Sequence, residues 1–243
     1  LIRLLPLTIV SYFVLFKNKL NTSFHLLLIF FISLVIFLSG SRTSFALLII
    51  FLILYFFLFK NIRKYMLFGI LFLTLTVVFA SFFNNKVGHS IYYNIKDPIR
   101  TIFNEDRAVL RDNLKDKKII IFTQVYHSHY ETAFNMFKHN KIFGVGNKMY
   151  RKLCNKDEYF VNDFSCTTHP HNFYLQVLAE NGLIGFIILA SIFFYISYLI
   201  LREVWQRNIN NRSLISDYSI ILLVGMFLNL WPIAPSGNIF NNW

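Results

Sequence analysis

Six stretches of the chain carry almost no charge: about residues 1–16, 24–39, 44–59, 66–83, 183–201 and 217–235. Each approaches the roughly 20 apolar residues that a helix needs to cross a bilayer core. In hydrocarbon the backbone must satisfy its own hydrogen bonds, so each run predicts a helix, despite the many β-branched and aromatic residues that would disfavour one in water. The pattern therefore predicts an all-α integral membrane protein with about six transmembrane helices, four in 1–83 and two in 183–243. The chain begins at Leu1, directly inside an apolar run, and reads as a fragment of a longer frame.

Between residues 84 and 182 the pattern changes. This stretch holds 14 of the 24 Lys and Arg, 10 of the 12 Asp and Glu, and six of the seven His. It is long enough to form a polar domain over one membrane face. Within it, Phe122, Tyr126, Tyr130, Ala133, Phe134 and Phe137 recur at helical spacing and predict an amphipathic helix over about 118–139, lying on the membrane or packed on the spans. His127, His129 and His139 fall on or near it and read as surface histidines.

Composition agrees with this division. The chain is 56% hydrophobic and 15% charged, with 29 Phe, 13 Tyr and a mean hydropathy of +0.50; soluble domains carry about 25% charged residues. That excludes a disordered chain, a disulfide-rich mini-protein and an ordinary water-soluble enzyme. A net charge of +12 suggests a nucleic-acid partner until the charges are placed. Lys17 and Lys19, then Lys60, Arg63 and Lys64, then Arg202, Arg207 and Arg212 occupy three short connections that six spans put on one side. The positive-inside rule makes that side cytoplasmic. Much of the basic excess is thus topological, and no nucleic-acid partner is expected. The long polar loop and the turn Ser39-Gly40-Ser41-Arg42 face the other way.

Cys154 and Cys166 lie in that outer loop. An oxidising compartment favours a disulfide between them. A zinc site with His169 and His171 is the alternative, against which the ligand spacing speaks; two unpaired thiols are the third reading.

The densest chemistry is the run from Cys166 to Gly185, with Thr167-Thr168-His169-Pro170-His171-Asn172 at its start. Thr167 or Thr168 is expected to cap a helix beginning near Pro170, so that His171 and Asn172 sit on its first turn. Asn181-Gly182 is expected to stop it. A helix N-terminus attracts phosphate and keeps a histidine neutral, able to accept a proton. Upstream, Phe143-Gly144-Val145-Gly146 reads as a simple turn. Arg42, between two apolar runs at the outer face, is either a bidentate phosphate ligand or a snorkelling helix-end arginine.

Three pieces together resemble the O-antigen ligase and O-antigen polymerase family of bacterial envelopes: Ser39-Gly40-Ser41-Arg42 between two spans, Phe143-Gly144-Val145-Gly146 after a helix, and His171-Asn172 followed by Gly182-Leu183-Ile184-Gly185 running into a span. The resemblance covers essentially the whole chain, as the C-terminal half of a longer member. It implies a multi-pass protein of the bacterial inner membrane with a large periplasmic loop and its active site on the periplasmic side. The donor would be a glycan on a polyprenyl diphosphate. The acceptor would be lipid A core for a ligase, or another lipid-linked repeat for a polymerase, with membrane lipid around both. His171 matches the family's histidine and would be the general base. Asn172 would orient it, and His169 would bind diphosphate or acceptor. Arg42 matches the family's arginine beside the turn; Arg151, with Arg111 or Arg107, would complete diphosphate binding. Inversion at the anomeric carbon follows from the ligases. No metal and no cofactor are expected. The loop arginines fit no family spacing, and the Cys154 and Cys166 pair is not a general family feature. A transporter or a non-catalytic membrane protein is the competing class; the near absence of ionisable residues within the apolar runs speaks against a transporter.

Overall fold

A computed structural model describes residues 2–15, 22–39, 41–83 and 124–240. Among these residues the protein is entirely helical, with no strand: α1 (Leu5–Leu15), α2 (Thr22–Leu38), α3 (Arg42–Leu58), a 3₁₀ turn (Lys60–Ile62), α4 (Arg63–Phe83), α5 (Gln124–His139), α6 (Tyr150–Leu153), α7 (Phe173–Asn208) and α8 (Asp217–Asn229). The helices separate into two compact units. One holds α1–α4, the end of α7 from Tyr195, and α8 to Leu230. The other holds α5, α6, the first part of α7 to Phe194, and the segment from Trp231.

From Gly182 onward α7 is long and apolar enough to cross a bilayer. α3 and α4 form a second candidate, a pair bent by 108° at residue 59. Leu27–Leu38 and Asp217–Asn229 are apolar but shorter. One or two candidate spans thus meet the length criterion, against six apolar runs in the sequence. A helix of 13 residues reaches only about 20 Å at 1.5 Å per residue, which is where the apolar runs and the formed helices part.

In the first unit α1 packs on α8; Leu5 and Ile9 of α1 and Ile220, Ile221, Val224 and Leu228 of α8 are all buried. α2 lies against α3 and α4. Ser41 caps α3, its hydroxyl accepting from the Ser44 N–H at 3.4 Å. At the other end of α3 the basic residues have a specific job. Arg63 donates through Nε to the Phe56 carbonyl at 2.8 Å and through Nη2 to that of Phe57 at 3.1 Å. These are carbonyls that the end of a helix leaves without an internal partner. Asn208 also donates to the Phe57 carbonyl, at 2.8 Å.

The same end of the unit holds a buried ion pair. Arg207 Nε meets Glu203 Oε1 at 2.6 Å, and Glu203 is wholly buried. Arg207 further reaches Asp217 at 2.7 Å and the Ile215 carbonyl at 2.7 Å, while the Leu214 N–H donates to Glu203 Oε2 at 3.2 Å. One side chain therefore joins the end of α7 to the start of α8. Arg207→Ala strands a buried carboxylate and should destabilise this unit by about 3–5 kcal/mol. Thermal unfolding in detergent measures it, and an unchanged midpoint would remove the pair from the list of stabilising contacts.

In the second unit the buried face of α5 presents His129, Thr132, Ala133 and Met136. Ala133 and Met136 pack with Tyr150, Cys154, Tyr159 and Ala179 in one core. The Tyr150 hydroxyl donates to the Ser165 carbonyl at 2.8 Å; burial pushes its pKa up, so it stays protonated.

Candidate active site

Asn172 starts the site. Its side-chain oxygen accepts from the Leu175 N–H at 3.1 Å, and its carbonyl from the Gln176 N–H at 2.9 Å. It is thus the N-cap of α7, which begins at Phe173. The cap was expected at Thr167 or Thr168 and the first turn near Pro170. The difference has a local cause. His171 adopts φ +57, a left-handed conformation that no helix continues through, so the helix can start only after it, where asparagine is among the best caps. A left-handed non-glycine residue costs about 1–3 kcal/mol and needs its surroundings to hold it.

Those surroundings come from beyond α8. The Ser236 N–H donates to the His171 carbonyl at 2.9 Å. Asn172 Nδ2 donates to the Pro232 carbonyl at 2.7 Å. Deeper, Gln176 donates to Asn238 at 2.7 Å and to Glu180 at 3.2 Å, and Glu180 accepts from the Tyr150 N–H at 2.9 Å. A buried polar network thus runs from the 231–240 segment through α7 to the start of α6. Sequence reasoning missed Ser236 and Asn238 as supports, because nothing in a linear pattern couples residues some 60 positions apart.

The His171 ring lies among three others. Ring centroids are 4.3 Å from His169, 5.4 Å from His129 and 5.5 Å from Tyr126. His169 has both nitrogens engaged: Nε2 with the Ser236 carbonyl at 3.1 Å and Nδ1 with the Thr168 hydroxyl at 2.8 Å. A carbonyl can only accept, so His169 carries a proton on Nε2. Among the described residues, none hydrogen-bonds to the His171 ring. Burial, and then the nearness of His169, hold the His171 pKa below the ordinary 6.5. Half-buried and neutral near pH 7, His171 has a nitrogen lone pair to offer a proton.

His129 corrects the reading of it as a surface histidine. It is only 5% exposed and stacks on His171 at an interplanar angle of 30°. The Phe164 carbonyl accepts from its ring, and its Nδ1 is buried with no partner among the described residues. Burial first, then His171 and His169, lower its pKa, partly opposed by that carbonyl. The signal was present: Tyr126, His129, Ala133 and Met136 stand at i, i+3, i+7 and i+10 on one helical face. His127 is partly exposed, 3.7 Å from Glu131, and His139 is exposed.

The glycine turn is more than a turn. Gly144 has φ +68 and Gly182 φ +66. Val145 and Gly146 donate their N–H groups to the Ala179 and Glu180 carbonyls, each at 2.9 Å, and Leu183 donates to the Lys141 carbonyl at 2.8 Å. Residues 141–146 thus splice into α7 at its break and satisfy the carbonyls that the break exposes. As expected, the first helical segment stops at Asn181-Gly182: Gly182 is non-helical and separates it by a kink from the segment that leads on into the apolar run.

The other expected site residues are placed as follows. Cys154 and Cys166 are joined in a disulfide with Cα atoms 5.2 Å apart, so neither offers a thiolate to zinc. Among the described residues no group of three or more His, Cys, Asp or Glu is arranged to hold a metal. Arg151 is exposed on α6, next to the anchored Tyr150. Arg42 is the first residue of α3, following its Ser41 cap. Arg107 and Arg111 lie outside the described residues.

Residues 27–190 match the family described as O-Antigen ligase. The chain belongs to the O-antigen ligase family. This is a family of integral membrane glycan ligases and polymerases whose substrates are lipid-linked glycans. The match includes the Arg42 turn, the Gly144 splice and the His171 loop, and ends short of Trp231. No curated protein and no solved structure matches the chain.

Proposed function

We propose that this O-antigen ligase family member transfers a glycan from a polyprenyl diphosphate carrier to lipid A core, with His171 as general base. The observation that carries the reading is the His171 ring: neutral, half-buried and without a hydrogen bond from any described residue, in a loop that hydrogen bonds hold from both sides. His171 takes the proton of the acceptor hydroxyl as the oxygen attacks the anomeric carbon. The new C–O bond forms as the bond to diphosphate breaks, and the configuration inverts. Arg42, Arg151 and Arg111 neutralise the departing diphosphate. That leaving group is already activated, so the reaction as read calls for no metal or cofactor. Asn172 holds the backbone of His171 through the cap. His169 braces the loop and borders the acceptor, and His129 stacks on the His171 ring.

The membrane setting belongs to the same reading: six spans, a cytoplasmic side marked by Lys60, Arg63 and Arg207, and a periplasmic loop carrying the site in the inner membrane. A strain lacking the protein separates the two family activities. Bare lipid A core with accumulated long lipid-linked glycan means ligase; single repeats on the core mean polymerase.

Diphosphate binding at Arg42 has its own test. Both Arg42→Ala and Arg42→Lys should impair transfer, because an ammonium cannot form the two parallel bonds of a guanidinium. Full activity of Arg42→Lys in membranes would reduce Arg42 to a helix-end charge.

A further inference from the structure

We propose that Ile142 and Phe143 form a membrane anchor, a two-residue apolar tip that inserts into the bilayer beside the start of the α7 span. The splice places them. The Lys141 carbonyl accepts from the Leu183 N–H at 2.8 Å, and the Ile142 carbonyl from the Ile184 N–H at 3.5 Å. Gly182 permits this approach: a Cβ there would lie 2.3 Å from the Ile142 oxygen. The tip therefore lies alongside the residues where the apolar half of α7 begins.

Its side chains face outward. Phe143 is 76% exposed and Ile142 is 59% exposed. Leu183, Ile184, Ile187 and Ile188 on the adjoining helix are exposed too. Together they make one apolar surface, continuous from the loop tip into the candidate span. A patch that runs without interruption into a span is most simply covered by what covers the span, which is lipid. The polar flanks suit that position. Lys141 adjoins the tip, and Lys138 Nζ lies 4.9 Å from the ring centre of exposed Phe134, near the end of α5. Such ammonium groups reach headgroup phosphates while their stems cover apolar surface. An anchor at this point fixes the height of the second unit, and with it His171, above the hydrocarbon.

Nitroxide labels read the depth directly. Phe143→Cys, Asp157→Cys and Ile188→Cys are labelled in the full chain, with the Cys154–Cys166 disulfide intact, and reconstituted into phosphatidylethanolamine and phosphatidylglycerol vesicles. Collisions with oxygen and with a water-soluble nickel chelate are compared at each position. Label 143 should show an oxygen-to-nickel ratio well above that of exposed residue 157 and close to that of residue 188. A ratio equal to that at 157 puts the tip in water and overturns the proposal. So does protection from both reagents, which means a protein partner, or an aqueous ratio at 188, which removes the span. These three positions are exposed, so the labels disturb no packed core.

Discussion

Replacing His171 with alanine should lower glycan transfer by about 10²–10⁴-fold, the range a positioned general base contributes. The loss should fall on turnover, because the residue acts on the acceptor proton and does not hold the donor. The substitution leaves the left-handed strain in place, since alanine is no better suited to φ +57 than histidine. A second variant separates chemistry from folding. His171→Asn tolerates the backbone conformation better and offers no basic nitrogen; it should insert and unfold like the parent yet stay inactive. A pH series sharpens the assignment. The His171 pKa is held below 6.5, so transfer should be constant around neutrality and fall as pH drops through that lowered value. Stability follows the same sign. The folded state binds fewer protons than the unfolded chain just below 6.5, so the stabilisation from neutral His171 and His129 is present above 6.5 and lost as pH falls through their lowered pKa values. Full surface polysaccharide from correctly inserted His171→Ala would sink the mechanism.

The second large effect belongs to a residue with no chemistry. Gly182→Ala should abolish the folded second unit. A methyl group there lies 2.3 Å from the Ile142 oxygen and 2.6 Å from the Gly144 nitrogen, both backbone atoms that cannot swing aside. The φ of +66 adds strain of its own. Gly144→Ala meets the same wall from the opposite side, 2.4 Å from the Glu180 carbonyl carbon. In contrast, Gly69→Ala meets nothing within 4 Å and should be silent. Limited proteolysis of membranes reads the difference: rapid cleavage of the loop in both splice variants, parental resistance in Gly69→Ala. A protease-resistant, active Gly182→Ala would show that the splice is dispensable.

The helices themselves were legible in the sequence, because long apolar runs and a 3.6-residue period are local signals. Their ends were less so. The start of α7 moved from Pro170 to Phe173 because a single backbone angle at His171 outranked threonine as a cap, and composition does not encode that angle. His171 stood out as a candidate through its neighbours Asn172 and Gly182. Its surroundings were not. His129 lies on a legible face of α5, yet the identity of what covers that face, the His171 ring, depends on tertiary packing. Ser236 supports the loop through backbone groups alone, which every residue carries and no motif can mark. The two glycine motifs, Phe143-Gly144-Val145-Gly146 and Gly182-Leu183-Ile184-Gly185, read as separate punctuation; only the fold shows them to be the two halves of one joint.

The brace on the histidine loop bears on when this protein can first work. Every residue of the family match precedes Trp231, yet the hydrogen bonds to the His171 carbonyl and to Asn172 Nδ2 come from Ser236 and Pro232. A ribosome that has just released α8 has made the whole reactive loop and none of its brace. The order of synthesis thus leaves the loop without either bond until the 232–236 segment has followed α8.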